Sequence, residues 1–307
     1  ITGGSLTVTE ANIIDALTAG SVTASIVTTE TVDSLKTLTG TNNAYTIVIS
    51  ETSASASDLN TINGLTTAEI NLTNVTSVTS SALSDLDTLA TAINASPAQF
   101  INATNLTTNA VSDSAIDITS SASTIDSLDA IDSGSSIDMT MASGATITVA
   151  ASEITEMLAD ETAGRLTISD QNITVEGEIS VSDANKLDAT TTGTVTATIS
   201  SSSVDTLKTL TGTNNAYTIT IASGDAEVSA SDLNAVNALT TEAVDLTNVT
   251  ALAASSISDL GILATAITNN EFSNDTGLTT IAVNETTIDA TTLASTIDAY
   301  DTINGSN

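Results

Sequence analysis

A segment of thirteen residues, LKTLTGTNNAYTI from Leu35 to Ile47, stands again without a change from Leu207 to Ile219. The match continues on both sides. SASDLNTINGLTT at Ser55 returns as SASDLNAVNALTT at Ser229, and DLDTLATAI at Asp85 returns as DLGILATAI at Asp259. ASTIDSLDAIDSGS at Ala122 returns as ASTIDAYDTINGS at Ala294. The opening LTVTEANIIDALTAGSVTAS parallels ISVSDANKLDATTTGTVTAT from Ile179. A long repeat of about 172 residues therefore governs the chain. Whatever local solution folds one copy must serve the other. The organisation reads as 1–134, a partial long repeat; 135–172, the remainder of the first; and 173–307, the second copy of 1–134.

A shorter period of about 22 to 30 residues lies inside the long one. Each short unit holds one stretch of apolar alternation, such as Tyr45-Ile47-Ile49, Ile147-Val149, Val195-Ala197-Ile199 or Val244-Leu246. Alternation filled in by threonine predicts a short strand with one buried face. Each unit also holds apolar residues three apart, such as Val32-Leu35-Leu38, Leu59-Ile62-Leu65, Leu86-Leu89-Ile93, Ile125-Leu128-Ile131 and Ile297-Tyr300-Ile303. That spacing predicts short α or 3₁₀ helices. The pairs Ser57/Asn60, Ser123/Asp126, Ser182/Asn185 and Ser202/Asp205 suggest their N-caps, and Gly40, Gly64, Gly193 and Gly212 their ends. Strand and short helix in alternation predict an α/β solenoid, β-helix-like, of about eleven coils. The expectation is one continuous solenoid rather than separate globular domains. The stretch Ala95 to Ala110, with the single proline Pro97, fits the unit poorly and reads as a loop or irregular coil.

Composition narrows function. Against 37 Asp and Glu stand 4 Lys and Arg, a net charge of −33. This surplus opposes DNA, RNA and anionic membrane surfaces. There is no His and no Cys. The chain thus lacks imidazole for acid–base work and thiols for attack, metal ligation or disulfides. With 40% hydrophobic residues and only 2% aromatics, a disordered acidic tail is excluded and a thin aliphatic core is expected. No run of apolar residues is long enough to span a bilayer as a helix. The start at Ile1 and the stop within the repeat pattern read as an internal or processed piece of a longer polypeptide.

Phrases such as SVSDANKLDATTTGTVTATIS and VDTLKTLTGTNNAYTITIAS resemble repeats in giant Thr/Ser/Ala/Asp-rich exported or cell-surface proteins of marine cyanobacteria and other aquatic bacteria. Those proteins are described as hemolysin-type or adhesin-like. The resemblance covers nearly the whole chain and implies export and a structural or cell-surface role. The calcium-binding nonapeptide of that group is absent, since Gly3-Gly4 is followed by Ser5-Leu6, and no EF-hand loop is present.

Chemical candidates have simpler readings. The carboxylate pairs Asp85/Asp87, Asp129/Asp132 and Asp298/Asp301 suggest a glycosidase dyad, but recurrence in each copy suits a solvated surface better. The four cations are Lys36, Arg165, Lys186 and Lys208; Lys36 and Lys208 each follow an aspartate by three residues, which reads as a local ion pair. Asn-x-Ser/Thr triplets occur at Asn71, Asn74, Asn102, Asn105, Asn172, Asn248, Asn274 and Asn284, as a Thr-rich chain produces by chance. Thr194-Val195-Thr196 and similar strands raise ice binding, but outward positions also carry Ala, Asp and Asn.

No residue is assigned as catalytic, cofactor-binding or metal-binding. No cofactor is expected, though calcium or magnesium could bridge carboxylates non-specifically or at interfaces. The expected function is a structural repeat protein forming an extracellular filament, sheath or surface layer, with copies of itself as partner. The alternative is an adhesin stalk or spacer stabilised by divalent cations. Neither reading involves nucleic acid or membrane insertion.

Overall fold

A computed structural model describes residues 4–106, 108–118, 125, 138–278, 281–287, 289, 291 and 294. The chain divides into two compact units, Ile1–Ala145 with Thr155–Ile168, and Thr146–Ile154 with Ser169–Asn307. The triplets Ile125-Leu128-Ile131 and Ile297-Tyr300-Ile303 and the pairs Asp129/Asp132 and Asp298/Asp301 fall wholly or largely outside the described residues.

In the first unit Ser5–Leu6, Thr23–Ile26, Ala44–Val48, Ile70–Asn71 and Phe100–Ile101 lie side by side in one sheet. Every pairing is parallel, so each connection must cross over, and each crossing carries a helix. These helices are Val8–Ala16, Val32–Leu35, Ala56–Asn63 and Leu83–Asn94. A second sheet of four strands runs Asp138–Thr140, Thr108–Val111, Ser77–Ser81, Ser53–Ser55.

The second unit repeats the plan. Thr146–Ala150, Asn172–Ile179, Val195–Ser202, Ala216–Ile221, Val244–Asp245 and Phe272–Ser273 follow one another in parallel within the seven-stranded sheet. Helices Val181–Thr190, Val204–Leu207, Ala230–Asn237 and Ile257–Thr268 take the last four of the five crossings, and Ile154–Thr162 lies in the first. Glu227–Val228, Ala251–Ser255 and Ile281–Val283 form a separate sheet of three.

The solenoid expectation is thereby corrected. The chain is an α/β fold with separate parallel sheets of five, four, seven and three strands, not one β-helix-like solenoid of about eleven coils. The physical reason lies in strands that alternation did not reveal. Ser77–Ser81 and Ala251–Ser255 bury a single aliphatic each, Val78 and Leu252, and a serine. Such Ser/Ala strands look like linkers in sequence, yet they build sheets of their own, so no single sheet runs the length of the chain. The Ala95–Ala110 region likewise holds more than a loop: after a cis Ser96–Pro97 bond come strand Phe100–Ile101, a 3₁₀ turn Ala103–Asn105 and the start of Thr108–Val111.

Helix starts obey capping chemistry, at shifted positions. Ser55 and Ser180, rather than Ser57 and Ser182, accept from the backbone N–H of Asp58 and Asp183, and Ser203 rather than Ser202 accepts from Thr206 N–H. Each hydroxyl meets an N–H that the first helical turn leaves unpaired. Thr7 and Glu10 close a reciprocal capping box at the first helix. The core is aliphatic, as the composition requires: Ile47, Ile49, Leu59, Ile62, Leu86 and Leu89 are fully buried, with Tyr45 as the largest side chain among them. Each such aliphatic contributes about 1.5–3 kcal/mol by leaving water.

Candidate functional site

The thirteen identical residues form a buried latch in each unit. Asn43 accepts the Val22 N–H at 2.7 Å through Oδ1, and its Nδ2 donates to Asp15 Oδ1 at 2.8 Å and to Tyr45 Oη at 3.0 Å. Asn215 accepts the Val195 N–H at 2.9 Å and donates to Asp188 Oδ1 at 2.8 Å. Asn43 is only 2% exposed and Asn215 3%. The glycine before each asparagine fits on two counts. Gly40 and Gly212 have φ of +80° and +78°, which disfavours any side chain. A Cβ at Gly40 would stand 2.3 Å from Asn43 Nδ2, and one at Gly212 would stand 2.2 Å from Asp188 Oδ1. These glycines therefore serve the latch rather than helix ends, and Gly64 keeps a right-handed φ of −67°.

Asp15 sits below the usual carboxylate pKa, held there first by Asn43 and then by Thr39. Burial pushes the Tyr45 phenol up, with Asp15 adding to the effect. A second pair of amides works beside the latch: Asn12 donates to Thr37 O at 2.8 Å and accepts Thr39 N–H at 2.9 Å, and Asn185 treats Thr209 and Thr211 alike. Thr66 and Thr240 each put a hydroxyl where a strand partner would be, accepting the N–H and donating to the C=O of Tyr45 and Tyr217 respectively.

Lys36 and Lys208 make the pairs expected, and one more each. Lys36 Nζ lies 2.9 Å from Asp33 and 2.7 Å from Asp58; Lys208 Nζ lies 2.9 Å from Asp205 and 2.6 Å from Asp232. The second carboxylate comes from the next helix, so the ammonium ties two crossings together. Lys36 holds the Asp58 carboxyl below its ordinary pKa, against partial burial and with help from Ser55. Asp58 in turn, followed by Asp33, raises the lysine. Both shifts favour the charged forms, so the pair is ionic. Lys186 pairs with Asp183 at 2.8 Å and Arg165 with Asp160 at 2.6 Å.

Many acidic side chains are structural. Glu30, Glu51 and Asp113 accept the N–H of Val8, Val32 and Leu83, the first residues of three helices, at 2.9, 2.7 and 2.8 Å. Asp225 and Glu285 do the same for Val204 and Ile257. Negative charge at a helix N-terminus is favourable. Ser81 and Ser255 take that role for Ala56 and Ala230. Asp85 and Asp87 stand two residues apart on helix Leu83–Asn94, and side chains so spaced do not face one another. They do not form a glycosidase dyad. Among the described residues no group of three acidic side chains is placed to hold a metal ion.

The triplet asparagines are also engaged. The Nδ2 groups of Asn74, Asn105 and Asn248 donate to the carbonyls of Ile49, Thr73 and Ile221, and those of Asn102 and Asn274 to Asn71 and Asp245. Thr148, Thr174 and Thr196 line up across three strands before Ala216 interrupts the row. Sequence reasoning missed that Asn12, Asn43, Asn185, Asn215, Thr66 and Thr240 act between units of the short period. Their identity in both copies was the available signal.

No protein-family model matches the chain, and no curated protein or solved structure matches it either. No helix among the described residues is long and apolar enough to cross a membrane.

Proposed function

We propose that this chain is a structural repeat protein, a building material for an extracellular filament, sheath or surface layer assembled from copies of itself. The supporting observation is duplication of the main side-chain devices that tie neighbouring units of the short period together. The Asn43/Asp15 latch, the Lys36 bridge and the Thr66 hydroxyl recur as Asn215/Asp188, Lys208 and Thr240. Each device joins backbone to backbone or charge to charge, and a reaction centre would instead converge once. The sheets add a means of growth. The five-stranded sheet ends at Ser5–Leu6 and Phe100–Ile101 among the described strands, and an open parallel edge is a template for another chain. The strong negative charge delays that association at low ionic strength and permits it at high salt, where the Debye length falls to about 3 Å at 1 M.

Sedimentation and negative-stain microscopy across a salt series test the proposal. Ordered assemblies that grow with concentration and salt are expected. A monomer at every concentration and salt would reject self-assembly and favour the stalk of a surface adhesin. A calcium or magnesium series matched in ionic strength to NaCl asks whether divalent cations add to that growth.

A further inference from the structure

A groove of about 880 Å³ lies in the first unit, over the outward face of Ala44–Val48, Ile70–Asn71 and Phe100–Ile101. The turn at 95–99 walls one side. That turn is two residues longer than its counterpart: residues 94–99 separate Ile93 from Phe100, while residues 268–271 separate Ile267 from Phe272. The corresponding hollow in the second unit measures only about 460 Å³. The longer turn therefore goes with a groove nearly twice the volume of its counterpart, toward the upper end of the roughly 300–1,000 Å³ range of small-ligand sites.

The lining has a consistent chemistry. Gln99 uses Oε1 to accept from Asn63, and Asn71 uses Oδ1 to accept from Thr73 N–H and Asn102. Gln99 Nε2, Asn71 Nδ2 and Asn63 Oδ1 take no part in these bonds, and Thr46 adds an exposed hydroxyl. Val48, Pro97 and Ile101 supply apolar surface between these groups. No cation lines the groove, and its one charge is Glu69. In the second unit Asn71 is replaced by Asp245, whose oxygens are already taken by Thr247, Asn274 and Thr220, and Gln99 is replaced by Glu271.

We propose that this first-unit groove binds a neutral saccharide. Amides and hydroxyls that both donate and accept match sugar hydroxyls, the apolar patches match sugar C–H faces, and the absence of cations leaves anionic ligands unfavoured. The proposal goes beyond the assembly role and does not depend on it.

Amide-resolved NMR titration of the whole chain with cellotetraose, chitotetraose and mannotetraose tests it. Each sugar is taken to about 10 mM, where a site with a Kd of about 1 mM is mostly filled. Shifts confined to Asn63, Asn71, Gln99 and their neighbours are expected with at least one sugar. The variant Asn71→Asp/Gln99→Glu brings in the side chains that the second unit already carries at these places. It should keep its fold by circular dichroism and bind at least about tenfold more weakly, through the loss of two neutral donors. Absence of shifts with all three sugars, equal shifts around Asn237 and Thr241, or undiminished binding by the variant would each overturn the proposal.

Discussion

The two copies share the asparagine latch and most of the aliphatic core, and they differ in a few buried polar groups and in one helix cap. Asn43 and Asn215 make the same bond to an N–H at the start of a strand, and Gly40 and Gly212 share the same left-handed φ. A few other positions differ. Asn109 lies fully buried in Thr108–Val111 with neither Oδ1 nor Nδ2 partnered, in register with Val78. The second copy has Ile281 at the corresponding place, in register with Leu252. Tyr45 Oη accepts from Asn43, whereas Tyr217 Oη is buried without a partner. Helix Leu83–Asn94 begins at Ala82 with no side-chain cap, whereas helix Ile257–Thr268 begins at Ser256, which accepts the Asp259 N–H at 3.0 Å. The lesson is one of tolerance. The latch that sets the path of the chain is kept in both copies, while a single cap and a few buried polar groups vary within the stability left over.

The sharpest test of that lesson acts on both copies at once. Gly40→Ala and Gly212→Ala should each lower stability by about 3 kcal/mol, the left-handed strain adding to the collision with a buried amide and carboxylate. Urea unfolding measures both. A loss in one copy only would break the equivalence. The next effect runs the other way. Asn109→Ile should raise stability by about 2 kcal/mol, because it removes two unpaired buried polar atoms and adds apolar contact. Thermal melting reads it, with Asn109→Leu as a check on shape. A fall in both variants would mean that a bound water or other polar partner occupies that interior.

The same contrast explains what could be read from the sequence. Alternation located the strands that bury two or more aliphatics, as at Tyr45-Ile47-Ile49 and Val195-Ala197-Ile199. Triplet spacing located the helices through Leu59-Ile62 and Leu86-Leu89. Architecture was another matter. Ser53–Ser55 and Ser77–Ser81 bury too little to show a pattern, and they are the strands that divide the fold into separate sheets. The latch was visible only as an identity between copies. Neither composition nor period tells that an asparagine bonds to the start of a strand 20 or 21 residues away. The groove was half legible: Pro97 and an irregular stretch marked the place, but the gathering of Asn63, Asn71 and Gln99 around it belongs to three-dimensional geometry alone.

Smaller effects refine the comparison. Ala82→Ser should add about 1 kcal/mol and Ser256→Ala should remove about as much, bringing the two helices to equal capping. Tyr45→Phe should cost about 1 kcal/mol, while Tyr217→Phe should be neutral, since only the first phenol has a partner to lose. Melting temperatures of the four variants suffice. Equal losses at Tyr45 and Tyr217 would show that the two latches are alike in solution.

The smallest effect lies in the acid limb. Lys36 and Lys208 depress the folded pKa of Asp58 and Asp232, partial burial opposing them and Ser55 and Ser229 helping. A carboxyl depressed in the fold contributes stability that is complete above its unfolded pKa, about 3.9, and is lost as pH falls through the lower folded value. The urea midpoint at low salt should therefore decline below about pH 4, and the double variant Lys36→Met/Lys208→Met should decline less steeply over that window. Part of the decline must survive in the variant. Asp15 is depressed by Asn43 and Thr39, and Asp245 is depressed by Asn274 and Thr247 in spite of burial; neither depends on a lysine. Raising NaCl should shrink the difference between wild type and variant, because exposed ion pairs are screened and amide hydrogen bonds are not. Identical acid limbs for the two proteins would show that the lysine bridges, though present in both copies, add nothing to the fold and that the amide latches alone make the repeat.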